Sequence, residues 1–204
     1  MSKQCRWFFR GTIVTVVVFV ACLGLGAGRS SAGPATAPHC ITPTEVDLNE
    51  RYGVSETIIA PFCANLNSGQ PWTVSNGWFM SPTFTAMPAG FEPAGKTPIE
   101  DFIAKLIGVK YVVDPGTRQE KTYVFGNDDD LGIFNDRELG TVVANTVSLG
   151  TLKPLSVGDH VVDSYLLLSA MHCDGFGDVV TDNCLPAGET LFSSVEFEVT
   201  PGHN

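Results

Sequence analysis

Basic residues are scarce in this chain. Of its 12 Lys and Arg, four (Lys3, Arg6, Arg10 and Arg29) lie in the first 32 residues, which carry none of the 22 acids. From Gly33 onward 8 basic side chains stand against 22 acidic ones, a formal charge of −14. A polyanion of this kind repels phosphate backbones and anionic lipid headgroups, so nucleic acid is not an expected partner. Several chemical signatures are missing as well. No Asn-x-Ser/Thr acceptor occurs, which removes any argument from N-glycosylation. No Gly-x-Ser-x-Gly elbow presents an activated serine, and no Gly-rich phosphate loop or dinucleotide fingerprint is present. No pair of carboxylates is singled out for glycoside hydrolysis. The cysteines lack the two-to-four-residue spacings of a zinc site. His39, His160, His172 and His203 share no metal-ligand spacing, and His160 and His172 read as ordinary strand residues. No internal repeat recurs at a fixed period.

What is present begins with an export signal. A basic start is followed by an almost wholly apolar run from Gly11 to Gly28, then by the small residues Ser30-Ser31-Ala32 before Gly33-Pro34. This is the three-part layout of a secretory signal peptide, expected as a helix over residues 1–32 that is cleaved. Two alternatives keep the protein at the membrane. Residues 12–27 retained as an anchor would be short, since about 20 apolar residues are needed to span the hydrocarbon core. Lipidation at Cys22 would use Phe19-Val20-Ala21-Cys22, with Phe19 where Leu is expected. Cleavage after Ala32 leaves 172 of the 204 residues, the size of one domain. The expected layout is a flexible lead-in over 33–40 and a single domain over 41–201.

Cleavage also sorts the cysteines. Cys5 and Cys22 leave with the signal; Cys40, Cys63, Cys173 and Cys184 remain. In an exported chain an even set is expected to be oxidised. Four cysteines allow three pairings. The local pairs Cys40–Cys63 and Cys173–Cys184 are favoured because short loops close at the lowest entropic cost. Each would contribute about 3 kcal/mol in the chain-entropy model.

Short apolar runs separated by Gly and Pro point to strands. Candidates are Ile41–Leu48 (an edge, because of Pro43), Val54–Phe62, Val109–Val113, Glu120–Phe125, Thr141–Leu149, Tyr165–Met171 and Leu191–Val199. The last alternates strictly, with Leu191, Ser193, Val195, Phe197 and Val199 on one face. Asn65 to Pro71 reads as a loop. Asn76-Gly77 between Trp72–Ser75 and Trp78–Ser81 predicts a tight hairpin turn. One helix is expected near 98–107, with Thr97 as cap, Pro98 in the first position, Glu100 completing a capping box and Gly108 as the stop. The sum is an all-β fold: an antiparallel β-sandwich of the immunoglobulin-like general type with one short helix.

Three stretches invite functional readings. Trp72 and Trp78 would form an aromatic platform for a sugar or a partner, against packing in the core. Asn127, Asp129, Gly132, Asn135 and Glu138 fall at calcium-loop positions, but Leu131 replaces a ligand and the flanks read as strands. The expectation there is a solvated acidic loop, with Ca²⁺ as the alternative and no other cofactor. Asp174, Asp178 and Asp182 read as the exposed tip of the Cys173–Cys184 loop. The function expected is therefore non-enzymatic: a secreted or cell-envelope protein that binds a protein or glycan at the cell surface, or is structural. The alternatives are a secreted hydrolase acting on a glycan or ester, and a membrane-tethered protein that keeps residues 12–27.

Overall fold

The structure is a computed structural model that describes residues 40–42, 45–59, 63–126, 131–138, 141–148 and 152–202, with the backbone alone over 134–138 and 141–145. All lie within one compact unit, Pro34–Asn204. Residues 1–32, where a signal helix is expected, with the alternative anchor at 12–27 and Cys22, lie outside the described residues, as do Asn127 and Asp129.

In chain order the elements are α1 (Leu48–Tyr52), β1 (Thr57–Ile58), β2 (Asn65–Asn67), β3 (Thr73–Met80), α2 (Pro98–Lys105), β4 (Leu106–Val113), β5 (Lys121–Gly126), β6 (Leu131–Glu138), β7 (Thr141–Ser148), β8 (Gly158–Leu168), β9 (His172–Cys173), α3 (Val180–Asn183), β10 (Cys184–Leu185) and β11 (Gly188–Thr200). The fold is all-β. One sheet has the order β1–β3–β7–β6, a second β2–β11–β8–β4–β5, and β9 with β10 forms a small ribbon. The sheets are not purely antiparallel, because β1 runs parallel to β3 and β2 parallel to β11. A parallel pair needs a connection of a dozen or more residues, and segment 59–72 supplies it between β1 and β3.

The two larger sheets share one core. Val74 and Met80 from the first, with Trp72 just before β3, meet Tyr111, Val162, Leu166, Val195 and Phe197 from the second. The Trp72 ring lies 5.2 Å from that of Phe197. The Tyr111 hydroxyl donates to the Val74 carbonyl at 3.2 Å, and burial pushes its phenol well above the ordinary tyrosine range. Strand β8 shows why these strands pair: His160, Val162, Ser164, Leu166 and Leu168 are buried and alternate with half-covered residues, the period of a pleated backbone.

Several expectations change. Ile41–Leu48 is not a strand; Ile41 and Asp47 make one isolated bridge, and α1 follows. The Asp47 carboxylate accepts from the Asn49 and Glu50 N–H groups, and Gly53 (φ 67°) closes the turn, so local capping wins over β-propensity. Within the described part of Val54–Phe62, residues 54–59, the strand is β1, Thr57–Ile58. Polar Asn65–Asn67 is a strand, because β11 pairs alongside it from Glu198↔Asn65 to Thr200↔Asn67. The Asn76-Gly77 hairpin does not form. Both residues lie inside continuous β3, whose partner is distant β7 (Gly77↔Asn145). A two-residue turn of that kind requires positive φ at both positions, and neither residue has it.

Helix α2 carries its expected capping box, with Pro98 near its start, but ends at Lys105. Chain then enters β4 directly, and Gly108 serves close strand approach: a Cβ there would overlap the Phe125 carbonyl oxygen. In β11 the expected alternation holds from Val195 to Val199, while a bulge between Leu191 and Ser193 reverses it at the N-terminal end. Phe192 packs against the core while Leu191 is 53% exposed. Segment 131–138, expected to lie in an acidic loop, is strand β6 from Leu131 onward.

Candidate functional site

The chemistry-bearing side chains gather at two histidine–aspartate pairs. The first is built on α2. Its last turn places Asp101 and Lys105 one above the other at helical spacing, 2.7 Å apart between Asp101 Oδ1 and Lys105 Nζ. The His172 ring on β9 donates from Nδ1 to Asp101 Oδ2 at 2.7 Å, with both side chains fully buried. The Ala94 N–H adds a third donor to this carboxylate at 2.6 Å. Burial alone would raise the Asp101 pKa. The bonds from His172, Lys105 and Ala94, with the Lys105 charge, outweigh that and hold it below the ordinary carboxylate range. Lys105 Nζ also donates to the Met171 and Glu92 carbonyls and lies 4.4 Å from the centre of the Phe91 ring.

The far nitrogen of His172 decides what this pair can do. Its Nε2 receives the Trp78 indole N–H at 3.2 Å. An indole only donates, so Nε2 is the acceptor and the ring proton sits on Nδ1. Trp78 is itself packed edge-on against Phe192 at 5.7 Å. The nitrogen that a catalytic dyad would turn toward a nucleophile is thus occupied by a donor with no proton to yield.

The second pair lies at one end of the five-stranded sheet. Asp114, in the turn after β4, accepts from His160 Nδ1 at 2.8 Å and from the Val161 N–H at 3.2 Å. Asp114 holds φ at 54°, a left-handed conformation that Asp tolerates better than most side chains. Gly116 (φ 74°) and a Thr117 N–H bond to the Asp114 carbonyl complete the turn expected at Asp114–Thr117. His160 Nε2 faces the Ser156 carbonyl oxygen at 2.9 Å. Both ring nitrogens therefore face oxygen atoms, one of a carboxylate and one of a backbone carbonyl. His160 and Phe197, stacked at 5.8 Å, line a concavity of about 580 Å³ that also touches exposed Asp159, Glu196 and Glu198.

The residues singled out from sequence are placed elsewhere. Trp72 is wholly buried, its indole bonded to the Lys153 carbonyl, so it offers no platform. Trp78 is half-buried in the His172 network, and the two tryptophans do not form a shared surface. Asn135 and Glu138 lie in β6, opposite Ala144 and Thr141 of β7. Among the described residues no three His, Cys, Asp or Glu side chains converge as a metal site. Cys40 is bonded to Cys63 and Cys173 to Cys184, the local pairs, which fit an oxidising environment.

In the loop closed by the second bond, Asp178 and Asp182 are exposed, but Asp174 is buried. Its carboxylate accepts from the Phe176 N–H and the Asn183 amide, which accounts for its burial. Sequence reasoning passed over both histidine pairs. The only signal available was two histidines in apolar strands, where an unpartnered imidazole is costly. No protein-family model, curated protein or solved structure matches the chain.

Proposed function

We propose that this protein is an exported, non-catalytic binding domain, a two-sheet sandwich of the immunoglobulin-like general type that works outside the cytoplasm. The observation that carries the reading is the occupancy of the imidazoles. His172 Nε2 holds the Trp78 indole and His160 Nε2 holds the Ser156 carbonyl, so neither ring has a nitrogen free to take a proton from a substrate. The buried pairs serve instead to lock α2, β9 and the Asp114 turn into a rigid frame, as satisfied polar networks do. Two disulfides and the acidic surface suit a soluble extracellular life. The partner is a protein or glycan at the cell surface.

A secreted hydrolase is the second reading, favoured by one feature: the concavity beside His160 carries three exposed carboxylates. One assay separates the two. Purified mature protein, starting at Gly33 by mass spectrometry, is offered a panel of chromogenic esters and glycosides. No turnover is expected. Turnover that falls in His160→Gln or in Glu196→Gln would replace the binding reading with the hydrolase. A mature N-terminus that retains residues 12–27, or a lipid on Cys22, would make the protein membrane-tethered.

A further inference from the structure

The disulfide-closed loop between Cys173 and Cys184 combines two properties that rarely coincide. It is exposed and apolar, yet it is held from many sides. Phe176, Val179 and Val180 are 45%, 50% and 47% exposed, three large hydrophobic side chains within five residues. Connecting loops ordinarily present polar side chains, and a cluster of exposed apolar ones marks a contact surface.

The backbone beneath them is pinned. The Asp174 carbonyl accepts from the Ser81 N–H and the Gly175 carbonyl from the Thr85 N–H and hydroxyl. Asp174 caps the Phe176 N–H, and its own N–H donates to the Asn183 carbonyl. Gly175 (φ 81°) sits so close to Pro98 and the Thr83 carbonyl that a Cβ would strike both. Directly before the loop, fully buried His172 ties its base to α2 through Asp101. A loop ordered in this way has already lost the freedom that binding would otherwise cost.

We propose that this loop is a preformed docking knob that seats Phe176 and the two valines in an apolar pocket bordered by Lys or Arg on a partner protein. The occupant follows from charge. Exposed Asp178 lies between Phe176 and Val179, exposed Asp182 follows Val180 by two residues, and no Lys or Arg follows Lys153 in this sequence. Acids around the knob oppose an anionic membrane. A second copy would bring the same acids into contact with themselves, which electrostatic complementarity disfavours. The idea rests on the non-catalytic binding reading and names the surface that does the binding.

The test is selection of a random-peptide phage library against the mature wild-type protein and against Phe176→Ser and Val180→Ser variants. Exposed substitutions of this kind leave the thermal midpoint unchanged, and that is checked first. The expected result is wild-type enrichment of peptides that pair an aromatic or aliphatic residue with Lys or Arg. A representative peptide should bind Phe176→Ser roughly thirtyfold more weakly, as for a truncated anchor. Asp178→Asn with Asp182→Asn should weaken binding less and flatten its salt dependence.

The proposal is overturned if wild type and Phe176→Ser select the same peptides, or if wild type selects none. It is also overturned if Phe176 proves necessary for binding phosphatidylcholine or phosphatidylserine vesicles, or for a dimer in size-exclusion chromatography. Turnover in the ester and glycoside assay would remove the non-catalytic reading while leaving the peptide result to stand alone, so the two failures are distinguishable.

Discussion

The two histidine–aspartate pairs use the same side chains to different ends. His172–Asp101 is sealed: both side chains are fully buried, the ring proton sits on Nδ1, and Trp78 closes the other nitrogen. His160–Asp114 stands at a cleft, with Asp114 in a left-handed backbone conformation and its side chain 11% exposed. In the first pair a lysine makes the charge count balance inside the core. In the second, the carboxylate is held by the ring and the Val161 N–H and remains partly in solvent. The lesson is that a His–Asp contact acquires its meaning from what faces the remaining nitrogen and from how much water reaches the carboxylate.

The contrast can be driven apart by substitution. Asp101→Ala should cost the most, about 3–5 kcal/mol in urea unfolding, because Lys105 is left buried without its counter-ion. Removing both charges with Asp101→Asn and Lys105→Met should cost less than that single change. Asp114→Ala should cost about 1–3 kcal/mol, the loss of buried hydrogen bonds near solvent. Asp114→Asn should recover part of it, since Asn also tolerates the left-handed turn. Equal losses at Asp101 and Asp114 would erase the distinction between a sealed and an open pair.

Acid offers a further handle. The Asp101 pKa is lower in the folded chain than in the unfolded one, so its contribution is fully present above the unfolded value and is lost as pH falls through the folded value. Wild-type stability should therefore decline more steeply below that point than that of Asp101→Asn, read as unfolding midpoints along an acid series. The smallest effect is expected from Trp78→Phe, about 1 kcal/mol, from loss of one neutral donor. Long-range proton–nitrogen NMR should report the Nδ1-protonated tautomer of His172 in the wild type and in Trp78→Phe alike, because the Asp101 carboxylate still accepts from Nδ1.

Legibility in the chain followed range. Helix α2 was readable from Thr97, Pro98 and Glu100 because a capping box is closed by residues three apart. Both disulfide pairs were readable for a similar reason, with separations of 23 and 11 residues. The Asn76-Gly77 turn misled, because the dipeptide permits a hairpin without compelling one, and β7 offered β3 a better partner from afar. The histidine pairs were invisible, since their partners stand 71 and 46 residues away. The docking loop was half visible: its staple and its acids were plain, while the burial of Asp174 and the outward turn of Phe176 were not.

Local chemistry in the chain was therefore enough for the two disulfides, the all-β class, helix α2 and the closing strand, because loop closure, capping and period-two alternation act between near neighbours. Tertiary packing alone decided that polar Asn65–Asn67 would pair with β11, that a bulge would bring Phe192 inward, and that His160 and His172 would each meet a carboxylate. Burial forces that last outcome. A ring or a carboxylate removed from water must find its partner wherever the fold brings one.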